Sequence, residues 1–223
     1  MLHIDVSKKL DRFSLEIALD ADDHGITALF GPSGAGKSTF AKMLAGLCVP
    51  DRGEISANGR LFFDSAAGVN LPPERRGVGF LFQEHRLFPH MNVLKNLSFG
   101  SFAGGRPPCG DIAEIADVFG IGALLRRSPS SLSGGESQRV ALARAILAAE
   151  NFIIMDEPLS SLDEARRCDL MGYIERIPRL FGIPIIYITH SREEVLRLAQ
   201  SVILIEEGRV KGCGRPADLM KRG

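Results

Sequence analysis

Apolar and polar side chains alternate in the first twenty residues of the chain. The alternation covers residues 2–6 (LHIDV) and 14–19 (SLEIAL), and a period of two is typical of half-exposed strands. We therefore predict an antiparallel hairpin at the N-terminus. A second hairpin is predicted over residues 53–64, because Asn58-Gly59 at its centre is a favoured two-residue turn.

Farther along the chain, short apolar runs alternate with segments of helical periodicity. The apolar runs, predicted as buried strands, cover residues 26–30, 77–82, 152–155, 184–189 and 202–205. Helical spacing covers residues 37–47, 111–119 and 136–149, and two more helices are predicted to begin near Leu162 and Ser191. The Gly- and Pro-rich residues 100–110 are predicted to connect elements. Strands that alternate with helices predict an α/β fold with a mainly parallel sheet and helices on both faces.

The composition narrows the classes of function. The 223 residues include 27 Lys and Arg against 27 Asp and Glu, so the formal net charge is zero, which disfavours a nucleic-acid binder that works through bulk positive charge. The four cysteines form no CxxC pair, so we expect reduced thiols in a cytoplasmic protein. Residues 1–9 do not have the layout of a secretory signal, so we expect none, and no apolar stretch reaches the roughly 18 residues that a membrane span needs. Any work at a membrane is therefore expected to involve a partner.

A glycine-rich segment lies between the predicted strand 26–30 and the helix that follows. Its members, which match G-x-x-x-x-G-K-[ST], are Gly31, Pro32, Ser33, Gly34, Ala35, Gly36, Lys37, Ser38 and Thr39. Backbone N–H groups of such a phosphate loop (residues 31–39) point at a bound phosphate, and the helix adds its positive end. Lys37 is predicted to reach the β- and γ-phosphates and Ser38 to bind Mg²⁺. The alternative is a flexible turn with a helix cap.

Two adjacent carboxylates end the predicted strand 152–155. Asp156 is placed to hold Mg²⁺, and Glu157 to polarise a water that attacks a phosphate. Taken alone, a strand that ends in two solvated acids explains the pattern equally well.

The segment 132–138 (LSGGESQ), here called the signature segment, opens a predicted helix. Ser133 with Glu136 forms a capping-box pattern. Capping does not explain Gly134 and Gly135, because each glycine costs roughly 1 kcal/mol relative to alanine inside a helix. The pair, with Gln138 after it, favours a second contact to phosphate at a positive helix end.

These three segments occur in the order and at about the spacing of ATP-binding cassette (ABC) ATPases, which the chain resembles over residues 2–220. The resemblance implies one P-loop NTPase domain over residues 1–223 that binds and hydrolyses ATP with Mg²⁺. Residues 1–82 and 151–223 would form the nucleotide-binding core with an N-terminal antiparallel β subdomain. Residues 83–150 would form an inserted helical subdomain that carries the signature segment.

The resemblance also implies roles for single residues. Gln83 is similar to the family's glutamine that contacts Mg²⁺ and the attacking water, and His190 to the histidine at the γ-phosphate. Ser161-Leu162-Asp163 resembles the family's D-loop, and Phe13 lies where an aromatic residue stacks on adenine. Gln83 and His190 are also compatible with solvated strand ends, and Phe13 with a core position of the first hairpin.

Within the family, residues 25–39 and 72–99 look most like the ATP-binding subunit of molybdate importers. That likeness implies a head-to-tail homodimer at the cytoplasmic face of the membrane, with ATP between the phosphate loop of one subunit and the signature segment of the other. A permease would be contacted from Gln83 to Met91, with Leu87, Phe88 and Met91 exposed, and a solute-binding protein would complete the complex. Alternatively, these side chains pack inside the helical subdomain.

One feature departs from that likeness. Molybdate-type ATPases commonly continue into an oxyanion-binding regulatory domain, which we do not expect in cis because the chain stops at Gly223. Importers of thiamine, sulfate or other small solutes therefore stay open as alternatives.

Two other classes of protein fit the sequence less well. A soluble ABC ATPase that acts on nucleic acid or the ribosome is disfavoured by the neutral charge, and no nucleic-acid partner is expected. A nucleotide-binding regulatory module without turnover is disfavoured by Glu157 and His190.

Overall fold

A computed structural model describes residues 2–10, 13–21, 24–84, 86–105, 107–160 and 162–220. The strands in these ranges are β1 (Leu2–Lys9), β2 (Ser14–Ala21), β3 (Ile26–Phe30), β4 (Arg52–Ala57), β5 (Arg60–Asp64), β6 (Val69–Asn70), β7 (Val78–Leu81), β8 (Phe152–Asp156), β9 (Ile185–Thr189), β10 (Ser201–Glu206) and β11 (Arg209–Gly214). The helices are α1 (Lys37–Leu44), α2 (Val93–Gly104), α3 (Ile112–Val118), α4 (Gly134–Ala148), α5 (Glu164–Phe181), α6 (Arg192–Leu198) and α7 (Pro216–Leu219). Ser161, predicted in the D-loop, and His85, predicted in the permease contact, lie outside the described residues.

The strands form one sheet in the order β6-β5-β4-β1-β2-β11-β10-β3-β9-β8-β7. Neighbours from β10 through β3, β9 and β8 to β7 are parallel. The N-terminal strands pair antiparallel, as do β10 and β11. These five neighbouring parallel strands therefore end on the same edge of the sheet, which is where ligands bind in open α/β sheets.

Both predicted hairpins are present. Buried and exposed residues alternate along the first half of β1 and β2, so one face of this ribbon covers the core. Asn58 and Gly59 have φ angles of 52° and 74° and join Ala57 to its partner Arg60. Positive φ at both central residues identifies the turn type predicted for Asn-Gly.

Side chains of the central strands are buried on both faces of the sheet. Along β8, Ile153 and Met155 face the core built with α2 to α5, while Phe152 and Ile154 face the core built with α1 and the N-terminal strands. This double burial explains why the central strands appear in the sequence as continuous apolar runs. In the described ranges, no helix combines the length and the apolar character that crossing a membrane requires.

The prediction that residues 100–110 only connect elements is wrong for their first part. Helix α2 begins after Asn92, whose side chain accepts a hydrogen bond from the backbone of Lys95, and continues through Gly104. A Cβ at Gly100 would lie 2.6 Å from that of Ala148 in α4. The glycine therefore allows the two helices to approach closely, and this packing outweighs its low helix propensity.

Arg76 ends the polar linker before β7 and is nevertheless fully buried. Its guanidinium donates to the carbonyls of Met43 and Leu44 at the end of α1, to that of Leu71, and to the Asn70 side chain, at 2.8 to 3.0 Å. Burial lowers the pKa of Arg76 to about 10, so the group stays charged at neutral pH. A cation at a helix C-terminus complements the negative end of the helix. Arg76 thus fixes the far end of the helix that follows the phosphate loop.

Replacing Arg76 by methionine is expected to destabilise the protein by about 3–5 kcal/mol, because buried carbonyls lose their donors. Urea unfolding followed by circular dichroism measures the change. Arg75→Met is the matched control, since Arg75 is exposed and should change stability by less than about 0.5 kcal/mol. Equal unfolding midpoints for the two variants would contradict the role assigned to Arg76.

Candidate nucleotide site

The phosphate loop leaves β3 and enters α1, the context that its motif requires. Gly36 precedes α1 with φ 98°, and no side chain caps the helix. Its left-handed backbone favours glycine, and it leaves the first N–H groups of α1 without a capping side chain. At Gly31, a Cβ would lie 2.0 Å from the carbonyl oxygen of Ile205 in β10, so the loop starts against the sheet. This cradle fits a phosphate group.

Lys37 folds back over the phosphate loop. Its side chain is buried, and Nζ donates to the carbonyl oxygens of Gly31 at 2.8 Å and Pro32 at 2.9 Å. Burial lowers the pKa of Lys37, while Glu157 and Asp156 act in the opposite direction. The ammonium group is therefore held inside the loop, where a phosphate would take the place of backbone carbonyls as acceptor.

Ser38 and Asp156 meet at the beginning of α1 and the end of β8. Ser38 Oγ donates to Asp156 Oδ1 at 2.9 Å. Burial raises the pKa of Asp156, and the bond from Ser38 acts in the opposite direction. A hydroxyl and a carboxylate are the hard oxygen ligands that Mg²⁺ prefers, so this pair fits the predicted ion.

Glu157 has φ 46°, an unusual backbone conformation for a residue other than glycine. Its N–H donates to the Ile188 carbonyl at 3.0 Å, which holds the turn against the end of β9. Its Oε1 lies 3.3 Å from His190 Nδ1. Strained backbone of this kind costs about 1–3 kcal/mol and is found most often at functional sites. The structure therefore brings together the two residues predicted to act on the attacking water and the γ-phosphate.

Gln83 follows β7 and reaches the same turn. Its Nε2 donates to Ser160 Oγ at 3.1 Å, and Ser160 Oγ donates to the Glu157 carbonyl at 3.0 Å. Gln83 is thus connected to Glu157 through one hydroxyl. Ser160 was not predicted as a site residue, because a single serine hydroxyl carries no sequence signal for such a contact.

The signature segment begins α4 with a complete capping box. Ser133 Oγ accepts from the Glu136 N–H at 3.2 Å, and Glu136 Oε2 accepts from the Ser133 N–H at 2.7 Å, which lowers the pKa of Glu136. A Cβ on Gly134 or Gly135 would meet nothing closer than an arginine nitrogen at 3.8 Å. Packing within the described residues therefore does not require glycine at these two positions. Their exposed backbone instead suits contact with a ligand.

The Gln138 side chain contacts its own chain and not the space beside Gly134 and Gly135. The side chain is buried, and Nε2 donates to the Pro158 carbonyl at 3.1 Å. The contact ties the first turns of α4 to the segment after Glu157. In this structure Gln138 therefore links two parts of one chain, and its predicted contact to nucleotide stays a prediction.

Asp163 and Phe13 have structural contacts of their own. Asp163 is the N-cap of α5 and accepts from the Arg166 N–H at 3.0 Å. Phe13 is half-buried against the core of the first hairpin and lies beside Gly36 and Gly208. Phe13 is thus next to the phosphate loop, and its stacking on adenine stays a prediction.

A buried carboxylate next to His190 was not identified from the sequence. Glu194 Oε2 in α6 accepts from Thr189 Oγ1 at 2.6 Å and from Tyr187 Oη at 3.0 Å. The spacing of Ser191 and Glu194 matches the capping-box pattern, which indicates a helix start but not these two hydroxyl donors.

The Tyr187 hydroxyl is expected to keep its proton until the protein unfolds in alkali. Burial and the neighbouring Glu194 raise the pKa of Tyr187. Above the ordinary tyrosine pKa of about 10, the unfolded chain ionises while the folded chain does not, so the free energy of unfolding falls as pH rises. Absorbance at 295 nm should be the same for wild type and Tyr187→Phe until unfolding, and should then differ by one tyrosinate. A difference while circular dichroism is still native would contradict this.

The predicted permease contact lies beside an open groove. Leu87, Phe88 and Met91 are half-buried, so the prediction that they are exposed is wrong. Leu87 packs on the core, and the Phe88 ring lies 4.2 Å from that of Phe99. The groove has a volume of about 470 Å³ and is lined by Ala45, Leu47, Phe80, Phe82, Phe88, Phe99, Ala103 and Arg144, among others.

Comparisons with known proteins agree with the fold. The family described as "ABC transporter" matches residues 15–160. The molybdenum import ATP-binding protein ModC of Rhodospirillum rubrum is 48% identical over 226 aligned positions, which cover 100% of this chain and 60% of that protein. ModC of Paramagnetospirillum magneticum is 45% identical and covers 99% of this chain and 61% of that protein. The chain thus spans about 60% of the length of these relatives.

Two solved structures have the same architecture. Clostridium perfringens cbiO1, part of the ABC transporter complex cbiONQ, has a TM-score of 0.81 and 25% identity over 99% of this chain and 90% of its own. Dimeric MJ0796, a bacterial ABC transporter cassette, has a TM-score of 0.75 and 22% identity over 97% and 99%. The P-loop fold predicted from the sequence, with its parallel core and antiparallel N-terminal strands, is confirmed. Because the family match spans more than half of the sequence, the chain belongs to the ABC transporter family.

Proposed function

We propose that this chain binds and hydrolyses MgATP as the ATPase subunit of an ABC importer. The observation that carries the proposal is the convergence of the predicted residues at one edge of the sheet. The phosphate loop follows β3, His190 follows β9, Asp156 ends β8 with Glu157 directly after it, and Gln83 follows β7. These four strands are neighbours in the sheet. Phosphoryl transfer depends on the positioning of the reacting groups and on neutralisation of the phosphate charge. The residues at this edge are suited to both tasks.

The residues divide the chemistry between them. Lys37 and the N–H groups of the phosphate loop bind the β- and γ-phosphates, and Ser38, Asp156 and Gln83 would hold Mg²⁺. Bound there, Mg²⁺ would neutralise charge that develops on the phosphates. Glu157 accepts a proton as water attacks the γ-phosphorus, the bond from phosphorus to the β–γ bridging oxygen breaks, and ADP and phosphate leave. His190, beside Glu157, binds a γ-phosphate oxygen.

The signature segment is proposed to act across a dimer. Its open glycine backbone belongs to α4, whose contact through Gln138 leads to Pro158 rather than to the phosphate loop. A second subunit, placed head to tail, would bring Ser133, Gly134 and Gly135 to ATP held by the first, with Asp163 near the same interface. MJ0796, whose fold this chain shares, is dimeric in its solved structure. The head-to-tail orientation is part of the proposal.

The partner is proposed to be a permease that docks in the groove beside Phe88. Aromatic side chains line this groove together with Arg86 and Arg144. An apolar helix with polar ends would match this combination of apolar and charged side chains. Gln83 begins the segment that leads to it. ATP turnover and the docked helix would thus act on the same loop, at the cytoplasmic face of the membrane.

Molybdate or a related oxyanion is the proposed solute, because both ModC relatives are named for molybdenum import. Thiamine and sulfate remain the alternatives. Uptake of labelled molybdate by cells that lack this gene, with and without a copy of it, distinguishes them. Restored uptake of thiamine or sulfate alone would contradict the assignment.

Phosphate release from MgATP by the purified chain tests the hydrolytic function. The rate per chain should rise with protein concentration, as expected when two chains complete each site. Nucleotide binding without phosphate release would favour the regulatory module, and recovery of the chain with ribosomes or DNA would favour the soluble class.

Ala103→Arg is expected to abolish co-purification with the permease and to leave basal ATP hydrolysis unchanged. The long cation would fill the groove that Ala103 lines, and Ala103 belongs to none of the segments proposed to bind nucleotide. Ala113→Arg on α3 is the matched control, because Ala113 is exposed and does not line the groove. If both variants retain the permease equally, the groove is not its docking site.

A further inference from the structure

Glu194 lies one turn into α6 and carries a buried carboxylate. Its relative exposure is 5%, and Oε2 accepts from Thr189 at 2.6 Å and from Tyr187 at 3.0 Å. Buried carboxylates are rare unless their oxygens are bonded. Two hydroxyl donors on one oxygen therefore fix this side chain against the end of β9.

The same network holds both residues that flank His190. Thr189 Oγ1 donates to Glu194 and accepts from the Ser191 N–H at 2.9 Å. Ser191 Oγ in turn accepts from the Glu194 N–H at 3.4 Å. The residues before and after His190 are thus tied to each other and to Glu194, Thr189 through its hydroxyl and Ser191 through its N–H and hydroxyl.

The His190 ring depends on this backbone for its placement. Its side chain is 57% exposed, so surrounding core atoms do little to orient it, and its contact with Glu157 Oε1 is long at 3.3 Å. A ring that is oriented by its backbone moves when the turn moves. A shift of about 1 Å in a reacting group is enough to cost up to 100-fold in rate.

We propose that Glu194 is a positioning residue for His190, and that it acts through Thr189. The inference rests on the proposed role of His190 at the γ-phosphate. Glu194 is buried and bonded to Thr189 and Tyr187, so it sets turnover and leaves ATP affinity unchanged. If Glu194 only joined β9 to α6, its removal would lower the free energy of unfolding, and its effect on kcat would be the same with and without His190.

A double-mutant cycle tests the proposal. Glu194→Ala is expected to lower kcat about tenfold with KM for ATP unchanged, and to change kcat less than about twofold when His190 is already alanine. Glu194→Gln, which keeps an acceptor oxygen in place, should recover most of the turnover. Glu193→Ala is the control, because Glu193 is exposed on the same turn.

Thr189→Val provides an independent variant if Glu194→Ala fails to fold, since it removes the hydroxyl and leaves the bond between Tyr187 and Glu194. It should lower kcat in the same His190-dependent way. Equal losses with and without His190, or a change in KM alone, would overturn the proposal. If the His190→Ala single variant has the kcat of the wild type, the proposed role of His190 is wrong. This corner of the cycle therefore tests His190 independently of Glu194.

Discussion

Glu157→Gln is expected to bind MgATP normally and to hydrolyse it about 100- to 10,000-fold more slowly, the contribution that a general base usually makes. Glutamine keeps the size of the side chain and the contact toward His190 but cannot take a proton from water. Without turnover, ATP stays between two subunits, so the variant should elute as a dimer in MgATP. Single-turnover phosphate release and size-exclusion chromatography measure the two effects.

The control for this variant is Glu207→Gln. Glu207 also has a positive φ, 48°, and lies exposed in the turn before β11, so the two substitutions place the same residue type in a similar backbone conformation. Glu207→Gln should turn over like wild type. Normal hydrolysis by Glu157→Gln would refute the role of Glu157 as the base.

Lys37→Ala is expected to weaken ATP binding roughly 10- to 100-fold, since a hydrogen bond to a charged group contributes about 1.5–3 kcal/mol. In the structure, Nζ makes its two bonds to carbonyls of the phosphate loop itself. A bound phosphate would replace these neutral acceptors with charged ones. Isothermal titration with a non-hydrolysable ATP analogue measures the loss.

Lys42→Ala is the comparison for Lys37→Ala. Lys42 is exposed in the last turn of the same helix, so its removal changes net charge by the same amount. It should change ATP affinity less than about twofold, as expected for an exposed charge. Equal affinities of Lys37→Ala and wild type would discredit the phosphate loop as the nucleotide site.

Local sequence was sufficient for features that depend on a few neighbouring residues. The Asn58-Gly59 turn, the strand before the phosphate loop and the capping box of Ser133 each follow from residue types at fixed short spacing. Parallel strand order places Gln83, Glu157 and His190 at one edge of the sheet, while the roles that the resemblance implies for them stay predictions. The division into a core and a helical subdomain over residues 83–150 stays a prediction, although α2, α3 and α4 all lie between β7 and β8.

Features that depend on distant contacts were missed. Arg76 is part of a polar linker in the sequence, and its bonds to the carbonyls at the end of α1, more than thirty residues earlier, could not be predicted from its neighbours. Helix α2 includes Gly100 because Ala148 packs on it, and the strands β6 and β11, which were not predicted, form by pairing with β5 and β10. Residue spacing does not indicate such long-range contacts, so propensity and composition gave wrong or missing predictions for these elements.

The central claim, that each ATP lies between the phosphate loop of one chain and the signature segment of another, is tested most directly by mixing two defective proteins. One carries Lys37→Ala and the other Gly135→Asp, both in the Glu157→Gln background so that bound ATP is retained. Each alone should retain no ATP on a desalting column. Their mixture contains one complete site per heterodimer and should retain one ATP per two chains. Retention of no ATP by the mixture, or of ATP by the Gly135→Asp protein alone, would contradict the account.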